Sequence, residues 1–168
     1  MNIDLSKLTK EELIAQMNLL MTNAQLGCYT RQAFETLIWP RVAKEAAYII
    51  FFDVDDMKGL NNAGGWDNTS AIIKRSIVVR STDYFAAQVL SGDEFVVVIT
   101  DNPDRKYSDP EELCKRLLEN FRQNGASATF AFRKVTSQNL EENLKPIKDL
   151  VKAAKDSNRR GTITLCEM

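Results

Sequence analysis

The sequence contains no histidine. That absence removes a histidine-activated nucleophile, a histidine-ligated zinc site and a histidine general base together. Cysteine is scarce. Cys28, Cys114 and Cys166 stand far apart, odd in number and without a C-x-x-C pair, which fits reduced, structural thiols better than a disulfide framework or a zinc cluster. No apolar run approaches the roughly 18 residues of a membrane span, and the N-terminus lacks a signal-peptide pattern. A cytoplasmic protein with no membrane partner is expected. An excess of one charge is missing too. With 22 basic and 23 acidic residues the net charge is −1, so no long-range field recruits a DNA or RNA duplex, although a local basic pocket for triphosphates remains compatible. Repeats, low-complexity tracts and linkers are absent, and the 168 residues are read as one domain, 1–168.

What is present is enough apolar sequence for a core, 44% of the chain, arranged in short periodic segments. Thr9-Lys10-Glu11-Glu12 reads as a capping box opening a helix within residues 1–22. Its stripe of Leu13, Met17, Leu20 and Met21 suits packing or dimerisation. Gly27-Cys28-Tyr29 breaks that pattern, and Thr30 caps a second helix with Ala33, Phe34, Leu37 and Ile38, which Trp39-Pro40 disturbs. Residues 47 to 54 form a near-continuous apolar run, the mark of a strand covered on both faces. A loop rich in Asn and Gly, 61–65, precedes a helix from about Asp67 to Val79 that turns Ile72, Ile73 and Ile77 inward.

A hairpin follows, with arms near 86–90 and 95–100 around Gly92-Asp93, a pair suited to a tight turn. Beyond a turn at 101–104, Asp109-Pro110-Glu111-Glu112 starts a helix well, with Leu113, Leu117 and Phe121 inward and Asn124-Gly125 at its end. Ala126, Ala128, Phe130 and Phe132 mark a fourth strand. A helix burying Ile147, Leu150, Val151 and Ala154 and a short strand at 162–165 close the chain. After the N-terminal helices the order is β-α-β-β-α-β. This predicts an α+β, ferredoxin-like palm: an antiparallel sheet with helices packed on one face.

Two strand ends are acidic. Asp53-Val54-Asp55-Asp56 closes the apolar run, and Asp93-Glu94 stands at the hairpin tip. An unpaired carboxylate beside a buried strand is costly and usually has a cation to face. Asp53 and Asp93 on neighbouring strands describe a site for magnesium, a hard ion that prefers carboxylate oxygens and leaves coordination positions to phosphate and water. Asp55 and Asp56 read more simply as turn caps. Backbone N–H groups over 55–58 are expected to add a phosphate cradle.

These residues resemble a family. Phe52-Asp53-Val54-Asp55-Asp56-Met57-Lys58-Gly59-Leu60-Asn61-Asn62 is similar to the F-D-x-D-x-F-K-x-x-N-D stretch of GGDEF-domain nucleotide cyclases. Ser91-Gly92-Asp93-Glu94-Phe95 resembles the signature pentapeptide, with serine for its first glycine. Residues 154–161, Ala-Lys-Asp-Ser-Asn-Arg-Arg-Gly, resemble the terminal A-K-x-x-G-R-N segment, and 25–34 faintly echo the family's opening motif. The resemblance spans about 23 to 165 in the family's order. It implies two Mg²⁺ (or Mn²⁺) ions held by Asp53, Asp93 and the Val54 carbonyl, with Glu94 a further ligand. Asp53, Asp93 and Glu94 are then the catalytic set, and Lys58, Lys155 and Arg159 contact triphosphate.

The base site departs from the family. Asn61 matches the asparagine that meets the base edge. The aspartate that pairs with guanine's donors falls on Ser70, and G-H-x-x-G-D becomes Gly65-Trp66-Asp67-Asn68-Thr69-Ser70. Serine cannot make the charged two-pronged acceptance, so ATP is expected to be preferred over GTP. The inhibitory R-x-x-D letters occur as Arg80-Ser81-Thr82-Asp83, too far before the hairpin for product feedback. With the altered base site and no room for a sensor domain, the chain also resembles stand-alone minimal CRISPR polymerases, whose relatives make cyclic adenylates as antiviral signals. The expected activity joins two nucleoside triphosphates into a cyclic di- or oligonucleotide. A second triphosphate must be presented from elsewhere, so a homodimer or higher homo-oligomer is expected. A diguanylate cyclase, or a palm that binds nucleotide without turnover, stands as the alternative.

Overall fold

Strand β3, Ala46–Val54, runs through the middle of the molecule because nearly every side chain along it is apolar and both its faces are covered. The computed structural model describes residues 5–78, 84–88, 92–101 and 109–167, with backbone alone described over 84–88. Among the described residues seven strands form one sheet in the order β1-β2-β4-β5-β3-β6-β7. They are β1 Thr22–Asn23, β2 Cys28–Tyr29, β3, β4 Tyr84–Gln88, β5 Glu94–Thr100, β6 Ala128–Lys134 and β7 Ile163–Leu165. The four central strands pair antiparallel, in the order expected of the ferredoxin-like core. The edges do not: β2 joins β4, and β7 joins β6, in parallel. The sheet is therefore mixed rather than antiparallel throughout.

Helices cover both faces, which corrects the expectation of one covered face. On one side, α4 (Met57–Ser76) and α5 (Pro110–Gln123) pack on Ile50, Phe52, Phe95, Val97, Phe130 and Phe132. On the other, α6 (Leu140–Asp156) and the helical segment over residues 31–42 pack on Ile49, Phe51, Val96, Val98 and Ala131. Continuous apolar strands leave no face for water, so the alternation seen from single residues in β6 undercounts its burial.

Three phenylalanines fix the register at the centre. Phe52 stacks between Phe95 and Phe130, at centroid distances of 5.3 and 4.8 Å, and meets the edge of Phe121 at 6.0 Å. A one-residue slip would turn every neighbouring side chain to the opposite face.

The helices follow their caps. Helix α1, Lys10–Met21, carries the capping box: the Glu12 N–H donates to Thr9 Oγ1 and the Thr9 N–H to Glu12 Oε2, at 3.2 and 2.8 Å. Its apolar residues bury little. Ile14, Met17, Leu19 and Leu20 are exposed. The second helix begins as α2 (Arg31–Ala33), continues as a π-helical stretch Phe34–Ile38 and ends as α3 (Trp39–Val42). Pro40 lacks an N–H, and the Trp39 N–H reaches back to the Phe34 carbonyl, so the disturbance expected there is a register change and not a break.

Residues 61–64 are helical, contrary to the loop expected from their Asn and Gly content. The real break is one residue, Gly65 at φ 77 and ψ 168, which divides α4 into two segments. Only glycine visits that backbone region without strain. Among the described residues no helix is long and apolar enough to cross a membrane.

Candidate functional site

The alternation that sends Phe52 into the core sends Asp53 the other way, toward α6. Across the β3–β5 pair Asp53 lies opposite Glu94. The Val54 N–H donates to the Asp93 carbonyl oxygen at 2.8 Å, tying the end of β3 to the hairpin turn. The two acidic strand ends thus meet at one place. Lys155, in the last turn of α6, reaches across to them. Its Nζ donates to Asp53 Oδ1 and, at 3.4 Å, to the Val54 carbonyl oxygen, and stands 3.8 Å from Asp55 Oδ1. The Lys155 and Asp53 side chains are only 20% and 18% exposed, which strengthens the pair relative to a surface ion pair.

Charge is crowded here. Burial pushes the Asp53 carboxyl above its ordinary range, Lys155 pulls it back, and Asp93 and Asp55 push it up again. Glu94 is raised as well, by burial and then by Asp53 and Asp93, against the opposing pull of Lys148 and Lys155. A cleft of about 330 Å³ opens here, floored by Phe51, Asp53 and Glu94 and walled by Lys148, Lys152 and Lys155 of α6. Lys148 and Lys152 are absent from the sequence expectation. Their signal was the i, i+4, i+7 spacing with Lys155, which places all three on one helix face.

Asp55 has a different role. It is buried, accepting from the Thr129 hydroxyl at 2.8 Å and from the Gly161 N–H at 3.1 Å, while its own N–H donates to the Ser127 carbonyl at 2.8 Å. It clasps β6 and the segment after α6 against the end of β3. Asp56 behaves as a turn cap, accepting from the Gly59 N–H at 3.1 Å from a left-handed backbone. The expected phosphate cradle over 55–58 is accordingly smaller, because the Asp55 N–H is already engaged.

Lys58, on the first turn of α4, and Arg159, just beyond α6, are exposed. Asn61 and Ser70 lie on either side of the Gly65 kink. Ser70 is 3% exposed, and its Oγ and the Asn61 Oδ1 are buried with no hydrogen-bond partner. Such atoms are uncommon and mark places where a ligand or water completes the bonding. Ser91, which opens the signature-like pentapeptide, and Arg80 to Asp83, which carry the R-x-x-D letters, lie outside the described residues.

A divalent ion can be tested against these donors. Among the described residues no three histidine, cysteine or carboxylate side chains close around one point. The available set is sparser and all oxygen: the Asp53 and Asp93 carboxylates with the Val54 carbonyl. That suits magnesium, which takes one or two carboxylates and completes its octahedron with water and phosphate. The Lys155 ammonium occupies two of these oxygens, Asp53 Oδ1 and the Val54 carbonyl oxygen.

No family model matches the chain, and no curated protein matches it. Solved structures do. The coiled coil and GGDEF domain of DgcB from Caulobacter crescentus, in complex with c-di-GMP, superposes with a TM-score of 0.72 at 17% identity, covering 94% of this chain and 91% of that one. Diguanylate cyclase SiaD from Pseudomonas aeruginosa, in complex with its activator SiaC, gives 0.69 at 12% identity, over 93% of this chain and 67% of that one. A microbial GGDEF domain described with cyclic di-GMP gives 0.68 at 14% identity, over 88% and 99%. The chain has the fold of GGDEF domains.

Proposed function

We propose that this chain is a magnesium-dependent nucleotidyltransferase that joins nucleoside triphosphates, ATP in preference to GTP, into a cyclic di- or oligonucleotide. The observation that carries this reading is the meeting of Asp53, Asp93 and Glu94 at one sheet end, beside a cleft lined by lysines of α6, in a fold shared with GGDEF domains. Asp53, Asp93 and the Val54 carbonyl would hold two Mg²⁺ (or Mn²⁺) ions, with Glu94 beside them. Bound there, the ions supply charge that acidifies a ribose hydroxyl and neutralises leaving pyrophosphate. In two successive transfers the hydroxyl oxygen of one nucleotide attacks the α-phosphorus of the other, its proton passes to water, and the bond to pyrophosphate breaks, the second transfer closing the ring. Lys155, Arg159 and Lys58 supply cations for the triphosphate, and Asn61 and Ser70 take the base edge. Ser70, neutral and buried, favours adenine over the guanine that a carboxylate would select. A homodimer or larger assembly presents the second triphosphate. Following the likeness to minimal CRISPR polymerases, the product is an antiviral signal; loss of phage resistance on Asp93→Ala is the expected cellular result.

Incubating the purified protein with each labelled triphosphate and Mg²⁺ tests the reaction. A phosphatase-resistant product from ATP, lost in Asp93→Ala, is expected; a product from GTP alone would select a diguanylate cyclase instead. Recovery of input nucleotide only, identical for wild type and Asp93→Ala, overturns the enzyme.

One observation favours a second reading. The Lys155 ammonium already sits on Asp53, where a metal would bind. In a module that binds nucleotide without turnover this pair would persist. Tight calorimetric binding of Mg-nucleotide with no product selects that alternative.

A further inference from the structure

The two tryptophans of the chain have opposite surroundings. Trp39 is buried, and its indole N–H donates to the Gln138 carbonyl at 2.7 Å. Trp66 begins the second segment of α4, immediately after the Gly65 kink, and is 43% exposed. A lone exposed aromatic is ordinary on a protein surface and carries nothing by itself. Two contacts and two buried neighbours along α4 set Trp66 apart.

The ring edge lies on the hairpin turn that carries Asp93. A Cβ built on Gly92 would fall 2.7 Å from Trp66 Cη2, so the approach depends on Gly92 having no side chain. The indole N–H donates to Gln25 Oε1 at 3.4 Å, which holds the ring plane from its other end. One helical turn deeper on the same face stands Ser70, whose buried Oγ has no partner, and across the kink the Asn61 Oδ1 is in the same condition. An exposed aromatic ring against the acidic turn, with unsatisfied polar atoms one helical turn along and across the kink, suits a flat heteroaromatic ring with a polar edge, attached to phosphates.

We infer that the Trp66 indole is the platform on which the base of a bound nucleoside triphosphate stacks, with Ser70 and Asn61 at the base edge. The inference rests on the nucleotide-binding reading above and deepens it. Every nucleobase has a π-face, so stacking tolerates base identity, and a hydroxyl and an amide can each donate or accept. Trp66 therefore supplies affinity common to ATP and GTP, and Ser70 only tilts the choice between them.

A Trp39→Phe protein, in which Trp66 is the sole tryptophan, is titrated with α,β-methylene ATP and α,β-methylene GTP in Mg²⁺ while calorimetry follows binding. Quenching of Trp66 emission in step with binding of both nucleotides is expected. Trp66→Ala weakens both about ten- to one-hundredfold, the size of one base–aromatic stack, and Trp66→Phe restores most of the loss. Should Trp39→Phe unfold, the unmodified protein carrying 5-fluorotryptophan replaces it, and the fluorine resonance absent from Trp66→Phe must shift on nucleotide addition. Binding that leaves Trp66 silent, with Trp66→Ala unchanged, overturns the platform and leaves the nucleotide reading intact. No binding of either nucleotide to the wild type overturns both.

Discussion

The Val54 N–H donates to the Asp93 carbonyl oxygen at 2.8 Å, so the backbone of the hairpin turn is fastened to the strand end that carries Asp53. That bond uses main-chain atoms only. Asp93→Ala removes the carboxylate and keeps the bond, and the fold is expected to survive. Nucleotide joining should fall about a thousandfold, the scale of losing a metal's charge stabilisation. Initial rates from labelled ATP, with circular dichroism unchanged, check this; a rate within a few-fold of wild type contradicts it.

Ser70→Asp should move substrate preference toward GTP. A bidentate acceptor aimed at a base is worth about 1–3 kcal/mol of discrimination, a change of roughly 5- to 150-fold in the ATP:GTP ratio of kcat/KM. An unchanged ratio refutes the assignment of Ser70 to the base edge.

Asp55→Ala tests the clasp. The substitution removes the acceptor of the Thr129 hydroxyl and Gly161 N–H and takes a neighbouring charge from Lys155. Hydrogen bonds to a carboxylate contribute about 1.5–3 kcal/mol each, and the Gly161 N–H keeps Thr129 Oγ1 as an acceptor at 3.1 Å, so a loss of roughly 2–4 kcal/mol, below the two-bond sum, is expected in urea unfolding. A loss below about 0.5 kcal/mol would make Asp55 a surface-like residue, contrary to its burial.

Glu94→Gln should stabilise the metal-free protein. Burial and the neighbouring Asp53 and Asp93 raise the folded-state pKa of Glu94, so the folded protein holds this proton more tightly than the unfolded chain. For a raised acid, the folded state is penalised above that pKa and relieved as pH falls through it. The glutamine therefore gains at neutral pH, by less than about 1 kcal/mol because Glu94 is partly solvated. The gain shrinks on acidification and disappears below the ordinary glutamate range. Melting temperatures of both proteins across pH 4–8, on the order of the titration window, read it directly; a constant difference across that range contradicts it.

The thiols should be silent in the native protein. Cys28, Cys114 and Cys166 are all buried, and burial, aided by Glu111 and Asp109, pushes the Cys114 thiol far above its ordinary range. An aromatic disulfide reagent is expected to find no fast-reacting thiol until denaturant is added, and then all three.

Much of this arrangement is legible residue by residue. The capping box at Thr9, the Asp109-Pro110 helix start and the apolar run of β3 obey local rules, because caps and strand burial depend on neighbours in the chain. The run 61–64 misled for the same reason: its Asn and Gly content signals a loop, yet α4 holds it helical from the Asp56 cap, and the break falls at Gly65 alone. Lys148 and Lys152 were visible only as a helical spacing. Nothing in that spacing says which wall of which cleft they line.

Sequence alone determined the order of elements, the two acidic strand ends and the residue types available for chemistry, since these follow from periodicity, turn residues and composition. Tertiary structure decided which residues meet. The stacked phenylalanines set a register that turns Asp53 toward Lys155, Asp55 became a clasp and not a cap because β6 and Gly161 arrive beside it, and Trp66 found Gly92 across a kink. Each of these depends on side chains brought together from distant stretches of chain, whose contact no local pattern encodes.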